Sequence, residues 1–155
     1  PRRSRSGRAL PKAKLADPNA AFGGEQSAHY YFRDFWRADS GMLAAMHVLA
    51  ALGQQDKPLS EMMAKYNRYA ASGEINSRLD SAEAQADRTE AVVKAFADRA
   101  ENVDRLDGVT VELKDGNWFN VRASNTEPLL RLNVEADTQE AVDALVKEIL
   151  AIIRA

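Results

Sequence analysis

Two segments near the end of the chain alternate so strictly between apolar and polar residues that only one local structure suits them. WFNVR (118–122) sets Phe119 and Val121 against Trp118, Asn120 and Arg122, and LLRLNVEA (129–136) sets Leu130, Leu132 and Val134 against Arg131, Asn133 and Glu135. Successive side chains of a strand point to opposite faces, so a period of two predicts paired strands with one apolar and one polar face. Ahead of them VTVEL (109–113), introduced by Gly108, puts Val109, Val111 and Leu113 on one face, and KDGN (114–117) offers a hairpin turn. DTQE (137–140) is capping-box-like with Asp137 as the cap, and it opens a helix striped by Val142, Leu145, Val146, Ile149 and Ile153. Ser81 and Ala82 open an earlier, long helix carrying Val92, Ala95, Phe96 and Val103. The order strand, helix, strand, strand, strand, helix predicts an α+β domain: a mostly antiparallel four-stranded sheet with two helices on one face.

The first half reads differently. Residues 1–11 are basic, polar and without periodicity, which predicts a disordered tail. A short strand at 20–22, a loop at GGEQSAH (23–29) and a second strand at YYFRDFW (30–36) follow. Asp39 and Ser40 offer a helix cap before GMLAAMHVLAAL, where Met42, Met46, Leu49 and Ala50 share a face and Gly53 ends the run. Ser60, Met62, Met63 and Tyr66 suggest a further short helix, and NRYAASGE (67–74) a connection. With 155 residues the chain suits one ordinary domain or a small domain with a piece of another. We expect the strand and helix that end an α/β domain, with a helical linker, at 12–70, and the α+β domain at 71–155.

Charge and composition remove several function classes. The net charge is −2, yet Arg2, Arg3, Arg5, Arg8, Lys12 and Lys14 precede the first acid, so the body is acidic. A dedicated nucleic-acid binder needs clustered cations to neutralise phosphates, and here they are confined to the tail. The chain has no cysteine, which excludes disulfides and thiolate chemistry. No apolar run approaches the roughly 20 residues needed to cross a bilayer. The arginine-rich start lacks the apolar stretch of a secretory signal, so the expectation is a soluble, cytoplasmic protein.

RASNTEPLLR (122–131) carries the densest chemistry. On the polar face of the strand pair, Arg122 and Arg131 flank a connection containing Ser124, Asn125 and Thr126. Two guanidinium forks with hydroxyl, amide and turn N–H donors between them suit a phosphate. Pro128 stiffens the loop, whereas Glu127 would repel an anion unless it pairs elsewhere. The same residues also make any solvated turn, and taken alone they leave both readings open. GGEQSAH is similar in standing: Glu25 can accept from two vicinal sugar hydroxyls, Ser27 can donate or accept, and His29 can move a proton near neutral pH. His47 reads as structural, and Trp36 and Trp118 as core or rim residues.

GGEQSAHYYF, an aromatic strand and helix, and about a hundred residues later RASNTEPLLR resemble, in that order, the C-terminal part of the α-D-phosphohexomutases of the bacterial phosphomannomutase/phosphoglucomutase type. Enzymes of that family have four domains. The resemblance implies that this chain holds the end of the third, sugar-binding domain and the whole fourth, phosphate-binding domain. It implies sugar contacts at Glu25 and Ser27, a possible proton acceptor at His29, and substrate-phosphate contacts at Arg122, Ser124, Asn125, Thr126 and Arg131. It further implies an isomerase interconverting hexose 6-phosphate and hexose 1-phosphate, a hinge near 69–73, and a Mg2+ bound outside this chain. RLDSAEAQADR (78–88) spreads its acids along a helix start, so no metal ligands are assigned here. Without the phosphoserine and metal loops of the N-terminal domains this polypeptide alone is expected to be inactive. The family commonly has glycine at the position of Ala28, and residues 1–10 show no likeness to it. A non-enzymatic module that binds phosphate or a sugar phosphate is the alternative reading.

Overall fold

The computed structural model describes residues 20–25 and 28–155, and the chain divides into two units between Tyr66 and Asn67. In the first unit β1 (Phe22–Gly24), β2 (Tyr30–Phe32) and β3 (Ala38–Asp39) form an antiparallel meander. The first strand thus lies two residues later than the 20–22 expected from sequence. The second stops at Phe32 instead of running to Trp36, because the chain folds back on itself: Phe35 N–H donates to Phe32 O and Ala38 N–H to Phe35 O. Trp36 and Arg37 make that reversal with φ of 51° and 53°. A left-handed backbone costs non-glycine residues roughly 1–2 kcal/mol each, so the aromatic composition of 30–36 misleads where the fold overrides propensity.

Ser40 caps α1 (Gly41–Gly53), its hydroxyl accepting from Leu43 N–H at 3.1 Å. Phe32 packs against Phe22 edge-on at 5.3 Å and against the His47 ring of α1 at 5.3 Å, which gives His47 the structural role expected of it. Met42, Met46 and Leu49 share the predicted face of α1, and all three are exposed. A short α2 (Leu59–Ala64) begins after Pro58.

The second unit has β4 (Ala70–Ala71), β5 (Ile75–Arg78), α3 (Ala82–Ala95), β6 (Ala100–Asp104), β7 (Val109–Leu113), β8 (Trp118–Ala123), β9 (Leu129–Ala136) and α4 (Gln139–Ile153). The class is the expected α+β, and every strand pairing is antiparallel. The sheet has six strands, β4-β9-β8-β7-β6 with β5 also on β9, not the four expected. One addition, β6, holds Val103, which sequence spacing placed in the preceding helix. Phe96 to Val103 is two helical turns, so periodicity permits the extension, but α3 closes at Phe96 and the chain reverses, with Arg99 and Ala100 N–H both bonded to Phe96 O. The other, β4, is two alanines long and has no alternation to read.

The apolar faces do what the alternation demands. Val109, Val111, Leu113, Phe119, Val121, Leu130, Leu132 and Val134 are buried with Val92 and Phe96 of α3 and with Val142, Leu145, Ile149 and Ile153 of α4. Both helices therefore cover one face, and Trp118, Asn120, Arg122, Arg131, Asn133 and Glu135 are left on the other. The cap of α4 is Thr138, whose hydroxyl accepts from Ala141 N–H at 3.2 Å, and not Asp137, whose own N–H donates to Asn117 Oδ1. Thr138 can take the cap because it is one residue nearer the first helical turn.

The stretch 69–73, where a hinge was expected, is mostly paired. Ala70 and Ala71 ladder onto Ala136 and Glu135, and Ser72 bridges to Val134 through both its N–H and its hydroxyl. Most of the stretch 69–73 is thereby held on the sheet.

Candidate functional site

The hairpin β8–β9 sets Arg122 directly opposite Arg131. Like charges in directly opposed positions weaken a strand pair, so this arrangement works against sheet stability unless something anionic faces it. Among the described residues three carboxylates do. Arg122 Nη1 lies 3.8 Å from Asp107 Oδ2, Arg131 Nη1 lies 3.5 Å from Glu74 Oε2, and Arg131 Nη2 lies 3.6 Å from Glu127 Oε2. Strong guanidinium–carboxylate bonds run about 2.7–2.9 Å, and each of these is far longer. Arg131 Nε is buried and has no hydrogen-bond partner among the described residues.

Ser124 organises the connection. Its hydroxyl oxygen accepts from Thr126 N–H at 3.4 Å, from Glu127 N–H at 3.3 Å and from Arg131 Nη2 at 3.5 Å. Three donors therefore converge on one oxygen, all at the weak end of the hydrogen-bond range. The loop is closed below by Ser124 N–H to Leu129 O and by Leu129 N–H to Glu127 O, both 2.8 Å, and Leu79 N–H holds Pro128 O at 3.0 Å. Of the residues expected here, Arg122, Ser124 and Arg131 are brought together. Thr126 contributes its backbone, while Asn125 and the Thr126 side chain stand at the exposed tip.

Gly108 fixes the base of this arrangement. Its φ is +67°, and a Cβ there would meet Val121 O at 2.5 Å and Arg122 Cβ at 2.8 Å. The turn before β7 thus lies against the backbone of Arg122, which is how the preceding residue, Asp107, comes within reach of its guanidinium. Asn120 Nδ2 ties the same turn down through Asp107 O at 3.0 Å. Sequence reasoning took Gly108 only as the start of a strand and passed over Asp107 and Glu74; the Asp-Gly pair was the available signal.

The hairpin β1–β2 builds the other constellation. Ala28 N–H donates to Glu25 O at 3.0 Å and Glu25 N–H to His29 O at 2.9 Å, which brings Glu25 opposite His29. Ala28 has φ +63°, a left-handed value, which is the reason glycine suits the position. Glu25 Oε1 accepts from the buried Tyr31 hydroxyl at 2.7 Å. His29 Nδ1 is 2.5 Å from Asp39 Oδ2, and the other oxygen of Asp39 accepts from Tyr30 N–H at 2.9 Å. Asp39 was expected to help cap α1; Ser40 does that alone, which leaves the carboxylate for the imidazole. Ser27 lies outside the described residues, as does the whole of the basic tail at 1–11.

Among the described residues no three or more His, Cys, Asp and Glu side chains are grouped to hold a metal ion, and no helix is long and apolar enough to span a membrane.

Comparison with known proteins gives concordant matches. Residues 2–69 match the model of the alpha/beta/alpha domain III of phosphoglucomutase/phosphomannomutase, and residues 74–152 match the C-terminal domain of the same enzymes. The first match reaches residue 2, so the expectation that residues 1–10 fall outside the family pattern is incorrect. A phosphomannomutase of Salmonella montevideo is 42% identical over 97% of this chain and 32% of its own length. One of Methanocaldococcus jannaschii is 38% identical over 97% of this chain and 32% of its own length. A crystal structure of a phosphoglucomutase/phosphomannomutase family protein from Burkholderia thailandensis superposes with a TM-score of 0.74 at 25% identity, over 97% of this chain and 32% of that one. The chain thus spans about a third of the length of these relatives. With both of its units matched in order, the chain belongs to the phosphoglucomutase/phosphomannomutase family, and it corresponds to the C-terminal part of those proteins.

Proposed function

We propose that these residues form the substrate-recognising C-terminal part of a cytoplasmic phosphohexomutase that interconverts hexose 6-phosphate and hexose 1-phosphate. The observation that carries the reading is the cross-strand arginine pair, in which Arg131 has one buried guanidinium nitrogen without a partner among the described residues and meets Glu74 and Glu127 only at 3.5 and 3.6 Å. A phosphate dianion placed there would supply the short, charge-assisted bonds that the carboxylates do not. Arg122, Ser124, Asn125, Thr126 and Arg131 hold the phosphate that does not react. Glu25 and Ser27 hold sugar hydroxyls.

His29 accepts a proton near the reacting groups. With Asp39 on Nδ1, its Nε2 is the nitrogen free to do so, which makes Asp39 a positioning residue. Phosphoryl transfer depends mainly on positioning and charge neutralisation, and these residues supply both. The Mg2+ that the family resemblance implies would supply charge neutralisation at the transferring phosphoryl group, and we place it outside this chain.

The test is an amide-shift titration of the chain with mannose 6-phosphate and glucose 1-phosphate, repeated with Arg122→Lys. Lysine keeps the charge but loses the fork, so shifts at 122–131 should weaken by about tenfold, the share of one bidentate contact. No shift in the unaltered chain, or equal affinity in the variant, would refute the clamp. Restoration of mutase activity by adding the N-terminal domains of a relative separates an enzyme part from a binding module without activity.

A further inference from the structure

We propose that Glu127 is a resident counter-anion which an incoming phosphate must displace from Arg131, so that a weakly charged anion gains little by entering the clamp. The inference rests on the phosphate reading of this loop and concerns what the loop does before the ligand arrives.

The geometry separates Glu127 from the other two carboxylates. Asp107 faces Arg122, and Glu74 meets Arg131 at Nη1. Glu127 instead meets Nη2, the same nitrogen that donates to the Ser124 hydroxyl on which the Thr126 and Glu127 N–H groups also converge. An anion oxygen drawn to that convergence of donors arrives where the Glu127 carboxylate makes its contact.

The backbone of Glu127 is held at both ends, by its N–H to Ser124 Oγ and its carbonyl to Leu129 N–H, and Pro128 restricts it further. Its side chain is 56% exposed. A fixed backbone keeps the carboxylate within reach of the guanidinium, and exposure gives it solvent to retire into. A held but solvated anion of this kind is a competitor, not a permanent partner.

The charge consequence follows from Coulomb's law. Replacing a carboxylate by a singly charged anion leaves the charge at Nη2 unchanged, whereas replacing it by a phosphate dianion adds one. Displacing Glu127 costs either anion the same, so a monoanion is left with little electrostatic gain and a dianion keeps the excess.

Glu127→Gln tests this in the full 155-residue chain by amide-shift titration with inorganic phosphate at a pH where it is a dianion, and with dimethyl phosphate, a monoanion. The variant should bind both anions more tightly, by about two- to fivefold, which is the worth of one exposed ion pair. The fold-gain should be the same for both anions, because the same displacement is relieved in each. Equal or weaker binding of phosphate by the variant would overturn the proposal while leaving the clamp intact. If neither protein bound phosphate, the clamp and the competitor would fall together, and a larger gain for the dianion would overturn the displacement, because it would mean that Glu127 stays in place and repels the anion.

Discussion

Gly108 shows how much one residue can decide. Its left-handed φ and the 2.5 Å approach of Val121 O to a would-be Cβ act together, so Gly108→Ala should cost about 2–4 kcal/mol by chemical denaturation, from backbone strain plus overpacking. Because the clash falls on Arg122, phosphate-induced shifts in that variant should weaken as well, whereas a purely structural glycine would leave them intact. Ala28 is the converse case. A left-handed alanine costs roughly 1–2 kcal/mol, partly offset by the greater chain entropy of glycine, so Ala28→Gly should stabilise the first unit by about 0.5–1 kcal/mol. A drop in stability would mean that the left-handed conformation carries no strain. The sequence revealed these two positions unequally. At Ala28 the family pattern exposed the demand for glycine, but at Gly108 the demand comes from a strand about a dozen residues away, and no local pattern records it.

At the level of elements, alternation made β7, β8, β9 and α4 legible because each buries one face against the same core, and a buried face leaves its period in the sequence. β4 and β6 left no such mark: one is two alanines, and the other is an edge strand with three consecutive exposed residues. The arginine pair was legible as two residues on a polar face and Glu127 as an acid beside it, but the other two carboxylate partners were not, since Glu74 and Asp107 come from elsewhere in the chain. One contact between elements also gives a pH prediction. The Arg105 guanidinium, just past β6, holds the Glu90 carboxylate of α3 below its ordinary range through a two-pronged hydrogen bond, with bonds of 2.6 and 2.9 Å. A lowered folded-state pKa means stability that is present above the unfolded value of 4.5 and lost as pH falls through the folded value. Arg105→Gln should therefore lower the thermal midpoint slightly at neutral pH and leave it unchanged well below pH 4, and a difference persisting in acid would assign the effect to packing.

For the whole molecule, the uneven distribution of core is the governing fact. The second unit encloses a continuous apolar interior between sheet and helices, whereas α1 of the first unit has no buried residue and shows Met42, Met46 and Leu49 to solvent. Residues 67–155 should accordingly unfold in one cooperative step whether or not the preceding residues are attached, with midpoints agreeing within a few degrees by circular dichroism. A large loss of stability on removing 1–66 would show that the units share a core. The ladder order has a further outcome for synthesis. Ala70 and Ile75 take their places beside Ala136 and Leu132, so a ribosome releases the opening strands of the second unit about 60 residues before their companion exists. Until that last strand emerges, the nascent chain carries two unclaimed edges, the period in which it most needs a chaperone.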